Sequence, residues 1–162
     1  VNVTAYDIGL EGLDALQGVD ALCLFVGEDD RPLPGSAGYV DWRMCGSLSR
    51  ILQSGFFVGA LEDSLLMPTD GRFSVPRVFI IGLGQRRGLD ASSLGEALAN
   101  AGRVLAKARV EAVALEIPGV GSLDEGVRAS ALTEKFLPNF KGRAVAVLAD
   151  KELARRLPGK KS

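Results

Sequence analysis

The sequence predicts an α/β domain with a mixed, mostly parallel sheet between two helical layers. Strand and helix patterns alternate along the chain, several strand candidates are unbroken apolar runs, and glycine or proline punctuates the joints. An apolar run suits a strand covered on both faces, which is the strand type of a parallel sheet packed by helices. At 162 residues, 47% of them hydrophobic, the chain can bury a core as a single unit, with residues 1–157 as one domain and 158–162 as a frayed tail.

Val1 to Ile8 alternates apolar and polar residues and reads as an edge strand. Ala21 to Val26 is a continuous apolar run, ended by Gly27 and a loop holding Glu28, Asp29, Asp30, Pro32, Pro34 and Gly35. Asp41 can cap a helix running to about Ser54, with Met44, Leu48, Ile51 and Leu52 on one stripe and Gly55 as its stop. Two short strands follow, Ser64 to Met67 and Arg77 to Ile81, separated by the turn Pro68-Thr69-Asp70-Gly71.

A long helix is expected over about Asp90 to Ala108, with Ser93 and Glu96 at capping-box spacing. Glu111 to Ile117 reads as a strand ended by Pro118-Gly119-Val120-Gly121. Ser122 and Glu125 then form a second capping-box spacing that opens a helix to about Leu137. Arg143 to Leu148 is the last strand candidate and Lys151 to Leu157 a short closing helix.

Composition narrows the chemistry. Histidine is absent, which removes histidine-based nucleophile pairs and zinc sites. Cys23 and Cys45 are too few for a disulfide framework; both read as inert core thiols in a reducing, cytoplasmic setting. No apolar run is long enough for a membrane helix, no secretory signal opens the chain, and no metal or cofactor motif is present. Residues 1–81 carry 11 acidic and 5 basic residues, whereas residues 82–162 carry 9 acidic and 14 basic ones. The near-neutral total and the lack of aromatic residues among the basic ones give nucleic-acid binding little support.

Candidate ligand-binding residues lie in two glycine turns and one acidic position. Gly82 and Gly84 end a strand, followed by Arg86 and Arg87, and can bring backbone N–H groups to an anion or simply make the turn. Gly119, Val120, Gly121 and Ser122 run into a helix start, where an anion can lodge or Ser122 can itself serve as the cap. Asp20, just before an apolar strand, can accept hydrogen bonds from a ligand or end a turn. Glu28, Asp29 and Asp30 lack the spacing of a calcium loop and read as a solvated acidic run.

The order of Val19-Asp20-Ala21-Leu22, Val40 to Ser49, Leu65-Leu66-Met67-Pro68 and Arg77 to Gly84, with a helix from Asp90, resembles the N-terminal domain of the M17 leucyl aminopeptidases over about residues 1–137. The resemblance implies a three-layer, macro-domain-like sandwich that is non-catalytic. In that family the metal-dependent chemistry lies in a separate C-terminal domain whose N-T-D-A-E-G-R type of run has no counterpart here. It further implies action through protein–protein contact, as a homo-oligomer or on an aminopeptidase-type partner. The alternatives are a nucleotide or ADP-ribose binder and a fragment of a full aminopeptidase. Asp20 and Gly119-Val120-Gly121 resemble in position the features macro domains use for ADP-ribose. Glu28-Asp29-Asp30, by contrast, would set negative charge near a bound diphosphate.

Overall fold

Parallel registers between Ala21–Gly27 (β2) and both Arg77–Gly84 (β4) and Ala112–Leu115 (β5) make β2 the central strand of the sheet. The computed structural model describes residues 1–159; the expected frayed tail falls partly on Lys160 to Ser162, outside the described residues. The six strands run in the order β1-β6-β5-β2-β4-β3, with Asn2–Asp7 as β1, Ser64–Pro68 as β3 and Ala144–Ala149 as β6. All neighbours are parallel except β3, which pairs antiparallel to β4 at one edge. The mixed, mostly parallel sheet is the expected one, and β1 is the opposite edge strand, as its alternation predicts.

Every residue of β2 and β5 is buried, because helices cover both faces of the sheet. One face carries Leu10–Ala15 (α1), Gly35–Arg43 (α2) and Ser47–Ser54 (α3), whose Leu13, Val40, Leu48 and Leu52 pack on Leu22, Leu24, Val78 and Ile80. The other carries Ala91–Lys107 (α4), Glu125–Ala131 (α5) and Lys151–Arg156 (α6), with Leu94, Leu98, Leu105, Leu132 and Leu153 on Cys23, Phe79, Ile81, Val113 and Val147. Alternate strand residues therefore feed two separate cores. The charge split follows: the acid-rich half of the chain supplies α1–α3, and the base-rich half supplies α4–α6.

Several local expectations are corrected. The single helix expected from Asp41 to Ser54 is two helices, because Cys45 (φ 57°) and Gly46 (φ 78°) leave the right-handed region. Asp41 still caps, but from the end of α2 onto α3, accepting from Leu48 N (2.9 Å), Ser49 N (3.1 Å) and the Ser49 hydroxyl. Gly55 is the α3 stop in the left-handed conformation, as expected. Cys23 is buried, whereas Cys45 is exposed rather than in the core, its Sγ accepting from Arg72 Nη1 at 3.2 Å.

Capping also shifts register. The α4 box joins Asp90 and Ser93, not Ser93 and Glu96, and α5 starts from Asp124, which accepts from Gly126 N, not from Ser122. Helix α1 carried too short a pattern to be read from the sequence. The helix expected to run to Leu137 passes from α5 into a π-helical segment, Leu132–Phe136. Gly95 and Gly102 on α4 face that segment: a Cβ at Gly102 would lie 2.8 Å from Phe136 O, so the two backbones meet where α4 has no side chain.

Candidate functional site

The carboxyl ends of β2 and β5 and the loops beyond β4 and β5 open into a cleft of about 320 Å³, in the position where parallel α/β sheets bind ligands. Its walls are Leu24 and Phe25 of β2, the Pro34–Ala37 start of α2, Arg86 after β4, and Glu116 with the Pro118–Val120 turn after β5. Ile8 closes one side.

Glu116 is the residue that sequence reading did not single out as part of this site. Its Oε2 accepts from Ser36 N at 3.4 Å and its Oε1 from Ser36 Oγ at 3.2 Å, across 80 residues of chain. Burial pushes its carboxyl above the ordinary glutamate range, outweighing the Ser36 hydrogen bonds and the fields of Arg128 and Arg86, which pull it down. Gly35, at φ 57°, lets the carboxylate lie against the start of α2; a Cβ there would come 2.5 Å from Glu116 Oε2.

Behind the cleft, Arg128 of α5 is 2% exposed. Its Nη2 donates to Ile117 O at 2.6 Å and its Nε to Pro118 O at 3.2 Å, fixing the stem of the turn. Desolvation lowers its pKa from the usual arginine range, opposed by Asp150, Glu116 and Glu125. An arginine placed among the apolar positions of a helix was the one available signal in the sequence.

The acidic run after β2 is not merely solvated. Asp30, 4% exposed, accepts from Gly27 N (2.8 Å) and from Arg86 Nε (2.6 Å) and Nη2 (2.8 Å). Asp29 accepts from Arg86 N (2.7 Å) and Arg87 N (3.1 Å), and the Arg86 amide is the chief cause of its lowered pKa. Glu28 accepts from Gln85 Nε2. All three acids thus stitch the β2 loop to the β4 loop.

The residues singled out in the sequence separate. Gly119 (φ 105°) and Val120 line the cleft; Gly121 and Ser122 complete the turn, with Ser122 N and Leu123 N donating to Gly119 O. Gly82 and Gly84 sit at the end of β4 but face the 59–63 segment, donating to Asp63 O (2.9 Å) and Gly59 O (2.8 Å). Asp20 lies at the amino end of β2, the far end of the sheet from the cleft, accepting from Glu111 N (3.1 Å) and Ala112 N (2.9 Å), with Arg77 3.7 Å away. Among the described residues no cluster of three acidic, cysteine or histidine side chains is placed to hold a metal ion. No helix among them is long and apolar enough to cross a membrane.

The family model described as the cytosol aminopeptidase family, N-terminal domain, matches residues 22–139, from β2 through the end of the α5 segment. The chain belongs to that family. As a member through its N-terminal domain, it is 25% identical over 118 residues to a probable cytosol aminopeptidase of Rippkaea orientalis (strain PCC 8801 / RF-1), a stretch covering 73% of this chain and 24% of that protein. The chain thus spans about a quarter of that relative's length. Among solved structures, the macrodomain of Mycobacterium tuberculosis DarG superposes with a TM-score of 0.69 at 17% identity, covering 91% of this chain and 98% of that one. A variant of tomato leucine aminopeptidase gives a TM-score of 0.63 at 17% identity, covering 96% of this chain and 34% of that one. At these identities the likeness to solved structures is one of fold, and this aminopeptidase-family domain has the macro-like sandwich.

Proposed function

We propose that this domain is a non-catalytic, macro-like interaction module that acts through protein–protein contact, by self-association or by docking on an aminopeptidase-type partner. The observation that carries the reading is the exposure of aromatic side chains on α2 and just past the end of α3. Trp42 is 70% exposed and Phe56 78% exposed, and Tyr39 stands one turn from Trp42 on α2. Aromatic side chains left in water at this level are the residues that bury most usefully in a contact. The match to the family's N-terminal domain supports a role apart from its metal-dependent chemistry. The free thiols Cys23 and Cys45 favour a cytoplasmic setting for the same reading.

Trp42 is the only tryptophan, so it reports on its own surface. Sedimentation over roughly a hundredfold range of protein concentration, with tryptophan emission read in parallel, should show association accompanied by a blue shift, and W42A, which has no tryptophan left to report, should weaken the association read by sedimentation. A chain that stays monomeric, and whose emission does not move with a family aminopeptidase added, overturns the reading. So does peptidase turnover that depends on added Mn²⁺ or Zn²⁺. A nucleotide-type ligand in the cleft is the weaker reading: the cleft has the volume, but Glu116 sets a carboxylate in it. Calorimetry with ADP-ribose tests that reading directly, and the absence of heat removes it.

A further inference from the structure

Helix α2 is nine residues long and begins at the cleft without a capping side chain of its own, since Pro34 holds the cap position. Its first turn therefore presents backbone N–H groups and the positive end of the helix dipole to the cleft. The partner supplied to that turn comes from the other side of β2. Glu116, at the end of β5, reaches Ser36 through both oxygens, one on the amide and one on the hydroxyl. Three further features hold it there. Gly35 carries no Cβ, which would sit 2.5 Å from Oε2. Arg128 clamps the carbonyls of Ile117 and Pro118, fixing the chain that carries Glu116. Arg86, the cation in the cleft wall, has its Nε and Nη2 engaged by the Asp30 carboxylate.

We propose that Glu116 determines the ligand class of the cleft: its carboxylate occupies the α2 N-terminus as a built-in anion and excludes phosphate-bearing ligands from it. A phosphate placed there meets a like charge in a partly desolvated site and finds the Ser36 donors already in use. The cleft is left to groups that donate hydrogen bonds. This inference is independent of the contact surface on Trp42 and Phe56, and either can fail alone.

The test titrates inorganic phosphate and ADP into the native chain, E116Q, E116A and E28Q, following the backbone amide signals of Gly35, Ser36 and Gly119. The native chain should show no saturable shift at these amides. E116Q and E116A should gain one, with phosphate binding at least about tenfold tighter than native. E28Q removes the same charge from Glu28, which lies outside the cleft lining, and should behave as native. If E116A does not fold, E116Q, which keeps an oxygen for Ser36, decides alone. Native binding as tight as that of E116Q, no gain in either variant, or an equal gain in E28Q each overturns the inference.

Discussion

Two carboxylates, Glu116 in the cleft and Asp29 in the loop after β2, respond to acid in opposite directions, because one is buried and the other is held by amides. The Glu116 carboxyl is raised, so the folded state holds its proton more tightly than the unfolded chain. Its contribution to stability is full below the ordinary glutamate value of 4.5 and is lost as pH rises through the higher folded value. Asp29 is lowered, so its contribution is present above 3.8 and lost as pH falls through the folded value. Denaturant melts across pH should therefore show E116Q gaining on the native chain as pH rises from 4.5, and D29N losing to it except in strong acid. A constant offset for E116Q across that range would contradict the burial argument. Arg128 gives a third outcome: R128M leaves the Ile117 and Pro118 carbonyls without their donor and should cost about 2 kcal/mol or more in denaturant unfolding.

Elements meet in this fold at glycines whose roles their sequence motifs do not announce. A Cβ at Gly82 would overlap Ala60 O, so G82A forces the 59–63 segment off β4 and should destabilise by about 1–3 kcal/mol. Gly88, four residues past β4, has nothing within reach of a Cβ, so G88A should be neutral or stabilise by about 0.4–1 kcal/mol. Thermal melts of this pair distinguish a packing glycine from a turn glycine. Asp41 tests the junction of α2 and α3: D41A removes the acceptor for Leu48 N and Ser49 N, and should cost about 1–2 kcal/mol without unwinding α2. Helix α2 keeps its own ladder, and its Val40 stays in the core.

At the scale of the whole molecule, the two helical layers come from different halves of the chain, and the exposed Tyr39 and Trp42 stand on the layer that the acid-rich half supplies. W42A should change folding stability by no more than about 0.5 kcal/mol while weakening association, since a side chain 70% exposed contributes little to the core. Loss of stability on that scale without any effect on association would remove Trp42 from the contact surface.

The strands, the long α4 and the α/β class were legible because each rests on local pattern: apolar runs for β2 and β4, helical spacing from Leu94 to Leu105. The aminopeptidase-family likeness was legible in the order of those same segments. The cleft was legible only in part. Gly119 and Val120 were marked by their turn, but Gly82, Gly84 and Asp20 carried similar marks and serve packing and strand-end hydrogen bonds instead.

By itself, the amino-acid pattern determined the strands, the long α4 and the layered α/β class, since periodicity acts locally. The tertiary structure alone decided which carboxylate faces the cleft. Glu116 meets Ser36 across 80 residues, and Asp29 and Asp30 meet Arg86 across more than 50. Such pairings depend on strand order, which brings β5 beside β2 and β2 beside β4, and no local signal encodes them.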